Sequence, residues 1–294
     1  MPPLIRLSTR QKVTIARLLN RCVKLGRSAL RRPMHGQFRR GGLNWQLDLN
    51  EGIDFAIYLL GAFERDLVRS YRRLIRPGAT VLDIGANIGA HTLPLAQHVG
   101  PDGRVIAIEA TEYAYGKLQK NLSLNPALQS QTTAIQALLT ATDDALREPA
   151  ISSSWPIAGS ETTHAVLCGA MRSTEGAQTQ SLDTLLDHLA VPQVHWIKLD
   201  VDGHELSVLQ GASKCLRIHK PSIFMELAPY CYANSMHGFR DLISILTEAN
   251  YSFLKLGSNK LLSTDADYLI EREIPKNGSI NILATHHTTQ YRGQ

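Results

Sequence analysis

The chain has 294 residues, 44% of them hydrophobic, and a formal net charge of +5. That length holds one large α/β domain or two small ones, with the apolar content of an ordinary globular protein. No apolar run reaches the length that crosses a bilayer, so no transmembrane segment is expected. Four scattered cysteines (Cys22, Cys168, Cys215 and Cys231) lack both C-x-x-C and metal-ligand spacing. They read as unpaired thiols in a reducing compartment, which points to a cytoplasmic protein without a bound metal.

The charge is unevenly placed. Residues 1–47 carry eleven Lys or Arg and no acid, leaving 20 basic against 26 acidic residues in the rest. Within this arm Ile15, Leu18, Leu19 and Cys22 recur at helical spacing among Arg17, Arg21, Lys24 and Arg27. The pattern predicts a basic amphipathic helix. Three roles are open to it: a cap on the domain or on a second subunit, a surface for an acidic partner or membrane, and a targeting peptide. Residues 36–50 alternate polar and apolar around Gly41-Gly42, which predicts a hairpin. The basic helix and the hairpin form an extension over 1–50, ahead of a second unit over 51–294.

Residues 52–75 read as one helix, stopped by Pro77-Gly78. Strands are then predicted at Ala79–Ile84, Arg104–Glu109, Thr132–Leu139, His195–Val201, Ser222–Leu227, Tyr251–Leu256 and Ser279–Thr285. Helices fall near 90–98, 112–123, 181–190, 204–218 and 237–249. This alternation means a doubly wound, Rossmann-like α/β sheet of seven mostly parallel strands covered on both faces. No clear helix separates the last two strands, so they are expected to pair antiparallel at one edge. The 150–180 stretch, with Trp155, His164 and Met171, is long for a connection and reads as a substrate lid or an irregular excursion.

Four acids stand at strand ends: Asp83, Glu109, Asp200 and Glu226. Parallel strands share one carboxyl edge, so these acids converge there. Grouped carboxylates repel one another and lose solvation, which calls for a cationic or hydroxyl-rich ligand. The turn Asp83-Ile-Gly85-Ala-Asn87-Ile-Gly89 lacks the G-x-G-x-x-G of a dinucleotide site. It also sets an acid where a pyrophosphate would be repelled. S-adenosylmethionine suits the set, since it brings a ribose for Glu109 and a positive charge for Asp83.

Three blocks then carry a resemblance: Tyr58–Glu64, Pro77–Gly89, and Ile197-Lys-Leu-Asp-Val-Asp-Gly-His-Glu-Leu-Ser-Val-Leu-Gln-Gly-Ala212. Over residues 45–286 the sequence is similar to class I S-adenosylmethionine-dependent methyltransferases, and within them to the FkbM family. The resemblance implies that the first and fourth strands of the sheet are neighbours, with the loops after Asp83 and Asp200 facing each other across the cofactor. It implies that Gly85 and Gly89 shape the cofactor turn, and that Gly85 lets the backbone approach the methionine part. Asp83 and Asn87 would organise the polar end of that part, and Glu64 would close it. Glu109, followed by Ala110, would take the ribose, and Ala137-Leu138 would flank adenine.

The acceptor of such an enzyme is a small molecule, a glycan or a peptide, with O-methylation of a natural product or sugar placed first. Peptide N-methylation and a non-catalytic cofactor-binding protein are the rivals. Nucleic acid is not expected, because no Asn-Pro-Pro-aromatic block follows the fourth strand and aromatic content is only 6%. Candidate bases are His204, Asp200 and Glu226, with a helix-start structural role equally open to His204. His91 reads as a structural residue.

Overall fold

A computed structural model describes residues 9–153, 156–157, 169–232, 236–258 and 260–288. Trp155, His164 and Cys168 lie outside the described residues. The chain opens with helix α1 (Thr9–Ala29) and a hairpin of β1 (His35–Arg40) and β2 (Leu43–Asp48). The hairpin turns at Gly41-Gly42 as expected, and Trp45 and Leu47 on β2 are 1% exposed. Asn121, itself buried, accepts from Gln46 N at 2.7 Å and donates to Ile88 O at 2.8 Å. One side chain thus ties the hairpin to the turn that follows the opening strand of the sheet.

The single helix expected over 52–75 is instead two, α2 (Gly52–Leu60) and α3 (Arg65–Leu74). Gly61 ends α2 at φ 82°, and its N–H returns to Ile57 O as a left-handed cap. Glu64 then takes φ 43° at the start of α3. The apolar periodicity runs through this break, which is why the pattern reads as continuous. The break matters because it turns the Glu64 carboxylate toward the sheet edge.

From there the chain alternates: β3 (Thr80–Ile84), α4 (Thr92–Val99), β4 (Arg104–Glu109), α5 (Glu112–Ser123) and β5 (Thr132–Leu139). A small hairpin, β6 (Ala150–Ser153) with β7 (Ala170–Ser173), precedes β8 (Gln178–Gln180) and α6 (Leu182–His188). Then come β9 (Trp196–Leu199), α7 (Glu205–Gln210), α8 (Ser213–Ile218), β10 (Ser222–Leu227) and α9 (Met236–Glu248). The chain closes through β11 (Tyr251–Lys255), β12 (Lys260–Leu261) and β13 (Ile280–His286). The helix expected over 204–218 is broken at Gly211. A Cβ there would stand 2.2 Å from Thr140 O, so the close approach of that carbonyl requires glycine at the break.

The main sheet runs β12-β11-β13-β10-β9-β3-β4-β5-β8. It is the doubly wound, mostly parallel sheet of the sequence reading, with β3 beside β9. It has nine strands rather than seven, because the short β8 and β12 extend its two ends, and segments of two or three residues leave no periodicity to read. The last two long strands pair antiparallel as expected, with β13 set between β10 and β11.

Alternation along each strand sends side chains to opposite faces. Leu82, Ile84, Ile106 and Ile108 pack with α6–α9, while Val81, Val105 and Ala107 pack with α3–α5 and β2. Asp83, Lys198 and Glu226 share the second parity with Val81, Trp196 and Phe224, so they project to the face covered by α3 and α4. Each fully buried Leu or Ile contributes about 1.5–3 kcal/mol, and this two-sided core fixes the strand ends that build the site. Among the described residues no helix is long and apolar enough to cross a membrane.

Candidate active site

Two cavities open at the carboxyl edge of the sheet and share one residue, Asp200. The larger, about 530 Å³ with its open mouth included, lies over the ends of β3, β4 and β5. Ile84, Ile108, Ala137, Leu138 and Val208 give it an apolar bed, and Asn87, Glu109, Ala110, Asp200 and His204 give it polar edges. Ile151, Ser152 and Ser153 of β6 form its outer wall. Strand β6, at the start of the 150–180 stretch, therefore lines this cavity.

Glu109, 5% exposed, is held by three donors. Asn87 N donates to Oε2 at 2.9 Å, while Thr111 N and Oγ1 donate to Oε1 at 2.9 and 2.6 Å. Burial pushes its pKa up, and the Thr111 and Asn87 hydrogen bonds pull against that shift. Two donors fill Oε1, while Oε2, with one, keeps a lone pair free, as a carboxylate accepts about four bonds in all. Asn87 itself sits at φ 49°, with Nδ2 3.5 Å from Ser153 Oγ.

Gly85 has φ 76°, and a Cβ there would stand 1.9 Å from Asp200 O. The glycine is thus required by the contact between the two loops. Gly89 does not line either cavity; a Cβ there would meet Leu93 and Leu118 at 2.7 and 2.9 Å, so its role is packing. Asp83 does not line either cavity. It is fully buried and accepts from Thr92 Oγ1 at 2.6 Å.

The partner of Asp83 is Lys198, a residue the sequence reading passed over. The two are register neighbours across β3 and β9. Lys198 Nζ lies 3.6 Å from Asp83 Oδ1 and 3.6 Å from Asp200 Oδ2, and donates to Gly85 O at 2.9 Å. Burial lowers the pKa of this ammonium, but Asp200, Asp83, Glu64 and Glu109 outweigh it and hold the group above the ordinary lysine value. The convergent acids are therefore partly neutralised from within the chain. A lysine inside the apolar run Trp196–Leu199 was the available signal, since an unpaired buried ammonium is costly.

The smaller cavity, about 290 Å³, is lined by Glu64, Lys198, Asp200, Phe224, Glu226 and Asn281 among others. His91, 4% exposed, touches Tyr71 OH at 3.1 Å through Nδ1 and stands 3.3 Å from Glu64 Oε2 through Nε2. For Glu64 burial opposes ionisation, yet the contact with His91 and the charge of Lys198 leave its pKa below the usual glutamate value. Glu226 behaves oppositely. Burial, then the Asp200 charge, push it up to about 7 against the hydrogen bond it accepts from Ser279 Oγ.

His204 lines the larger cavity and not the smaller. Its Nε2 pairs with Glu148 Oε1 at 3.2 Å, and its Nδ1 is buried without a partner. Glu205 folds back on the loop, accepting from Val201 N at 3.1 Å and Tyr232 OH at 3.0 Å. The fit of a cationic nucleoside rests on the apolar bed, the free capacity of Glu109, the orphaned His204 Nδ1 and Ser152 Oγ, and the acid excess around one lysine.

Comparison with known proteins gives one family: residues 83–253 match the methyltransferase FkbM domain. A 157-residue stretch is 30% identical to the hexuronic acid methyltransferase AglP of Haloferax volcanii, covering 52% of this chain and 58% of that protein. A 51-residue stretch is 43% identical to an arsenite methyltransferase of Halobacterium salinarum, covering 17% of this chain and 13% of that protein. These matches leave a large part of each relative's length unspanned. A crystal structure of methyltransferase FkbM from Methylobacillus flagellatus superposes with a TM-score of 0.43 at 17% identity, over 74% of this chain and 50% of that chain.

Proposed function

The chain belongs to the FkbM methyltransferase family, and on that premise we propose that it methylates a hydroxyl of a sugar or other small molecule from S-adenosylmethionine. The observation that carries this reading is the meeting of the two cavities at Asp200. The larger suits the donor and the smaller the acceptor. When bound, S-adenosylmethionine supplies a methyl group already activated on a sulfonium.

What remains for the protein is alignment and removal of a proton. Glu109 would accept a ribose hydroxyl through Oε2, and Ala110, Ala137 and Leu138 would flank the base. Asn87, Gly85 and Asp200 would face the amino-acid end, with Asp83 acting through Lys198 rather than by contact. Glu64, Asp200 and Glu226 leave the smaller cavity acidic around Lys198. Hydroxyl groups donate well to such a lining.

A hydroxyl loses its proton as the methyl group arrives, and a base with a pKa near neutrality is best placed to take it. Glu226, raised to about 7 in the acceptor cavity, fits that task. His204 faces the donor cavity and is paired to Glu148, so it is assigned to the wall rather than the reaction. The name of the Haloferax relative supports a sugar as the acceptor class. Incubation with isotopically labelled S-adenosylmethionine and a panel of free hexuronic acids, neutral hexoses and peptides tests the reading by mass spectrometry. A one-methyl shift on a sugar is expected. Labelling of the peptides alone would overturn it.

A further inference from the structure

Helix α1 (Thr9–Ala29) has a docked face and an undocked one. On the docked face Asn20, 2% exposed, donates Nδ2 to Leu49 O. Val23 packs against the core, and Arg27 donates to Pro33 O at 2.7 Å and lies 5.2 Å over the Phe38 ring. These positions follow helical spacing, so they mark the side that meets the body.

The remaining apolar residues point elsewhere. Ile15, Leu18, Leu19 and Leu25 are 42%, 62%, 43% and 73% exposed, and Leu30 just beyond is 67% exposed. Their spacing gathers the first four on one stripe across three turns. Arg17, Arg21 and Lys24 are exposed along one flank of that stripe, and Arg31 and Arg32 follow it. No carboxylate occurs in residues 1–47.

We propose that this face of α1 is an interfacial anchor that seats on an anionic phospholipid surface. The aliphatic stripe enters the headgroup–acyl boundary, and the flanking cations meet lipid phosphates. A second copy of the helix is a poor occupant. Pairing two such faces would bring their cations together with no acid within the arm to offset them. An anionic bilayer answers both the aliphatic stripe and the unpaired positive flank, and its fluid surface needs no matching groove. The anchor would hold the enzyme at a membrane surface.

The test is vesicle flotation of the full chain, with vesicles of phosphatidylcholine alone or mixed equally with phosphatidylglycerol. Flotation with the anionic vesicles only, weakening with added salt, is expected. Arg17→Gln, Arg21→Gln and Lys24→Gln together should lower partitioning about 100-fold, since each cation near such a surface is worth about 1 kcal/mol. Leu18→Ser with Leu25→Ser should lower it more than 10-fold, and thermal melting of both variants should stay at the wild-type value because the positions are exposed. Absence of flotation, equal flotation with both vesicle types, or an intact-chain dimer abolished by Leu18→Ser with Leu25→Ser would overturn the proposal.

Discussion

The two cavities on either side of Asp200 are built from the same residue type to opposite effect. In the larger, Glu109 is satisfied by three backbone and hydroxyl donors, and its neighbours are small or aliphatic. In the smaller, Glu64, Asp200 and Glu226 crowd one lysine, and Glu226 is pushed up to about 7. A carboxylate fixed by donors is suited to recognition. One left short of them is suited to exchanging a proton.

That contrast can be broken by substitution, and the largest effect should come from the acceptor side. Glu226→Gln should lower kcat by about 100–10,000-fold, the usual share of a general base, with cofactor affinity within about twofold of wild type; single-turnover methyl transfer measures it. Because the folded Glu226 holds its proton up to about pH 7 and an unfolded glutamate releases it near 4.5, wild-type stability falls as pH rises through that window. The same variant should therefore be more stable than wild type at pH 8, by about 1–3 kcal/mol in urea unfolding. Wild-type activity should in turn decline as pH falls below about 7.

Lys198→Met removes the charge that serves both sides. It leaves Asp83 buried without a counter-ion and should cost about 3–5 kcal/mol of stability. Lys198→Arg keeps the charge and should recover part of it, read by thermal melting.

Glu109→Ala should act on the donor side alone, weakening S-adenosylmethionine about 10–100-fold through lost charged hydrogen bonds. Calorimetry measures it. His204→Ala should be smallest, changing single-turnover rate by less than about tenfold, since removing an indirect wall contact costs about 1 kcal/mol. A loss as large as that of Glu226→Gln would move the base to His204.

Much of the donor side was legible in sequence because it depends on local order. Strand, acid, glycines and helix lie within Val81–Ala96, and short, nearly continuous apolar runs locate the other strand ends. The acceptor side depends on register and on breaks. Lys198 faces Asp83 only because β9 lies beside β3, and no single strand displays that pairing. Glu64 enters the site because Gly61 interrupts a helix whose apolar pattern continues past it. Asn281 meets Glu226 through an antiparallel strand from the end of the chain. The four strand-end acids call for a cationic or hydroxyl-rich ligand, and part of the positive charge is the chain's own Lys198.

The division of labour between the cavities is tested most directly without any acceptor, by titrating S-adenosylmethionine calorimetrically into wild type, Glu109→Ala and Glu226→Gln. The structure predicts weakened binding for Glu109→Ala and wild-type binding for Glu226→Gln. Unchanged affinity in Glu109→Ala, or a comparable loss in Glu226→Gln, would contradict it.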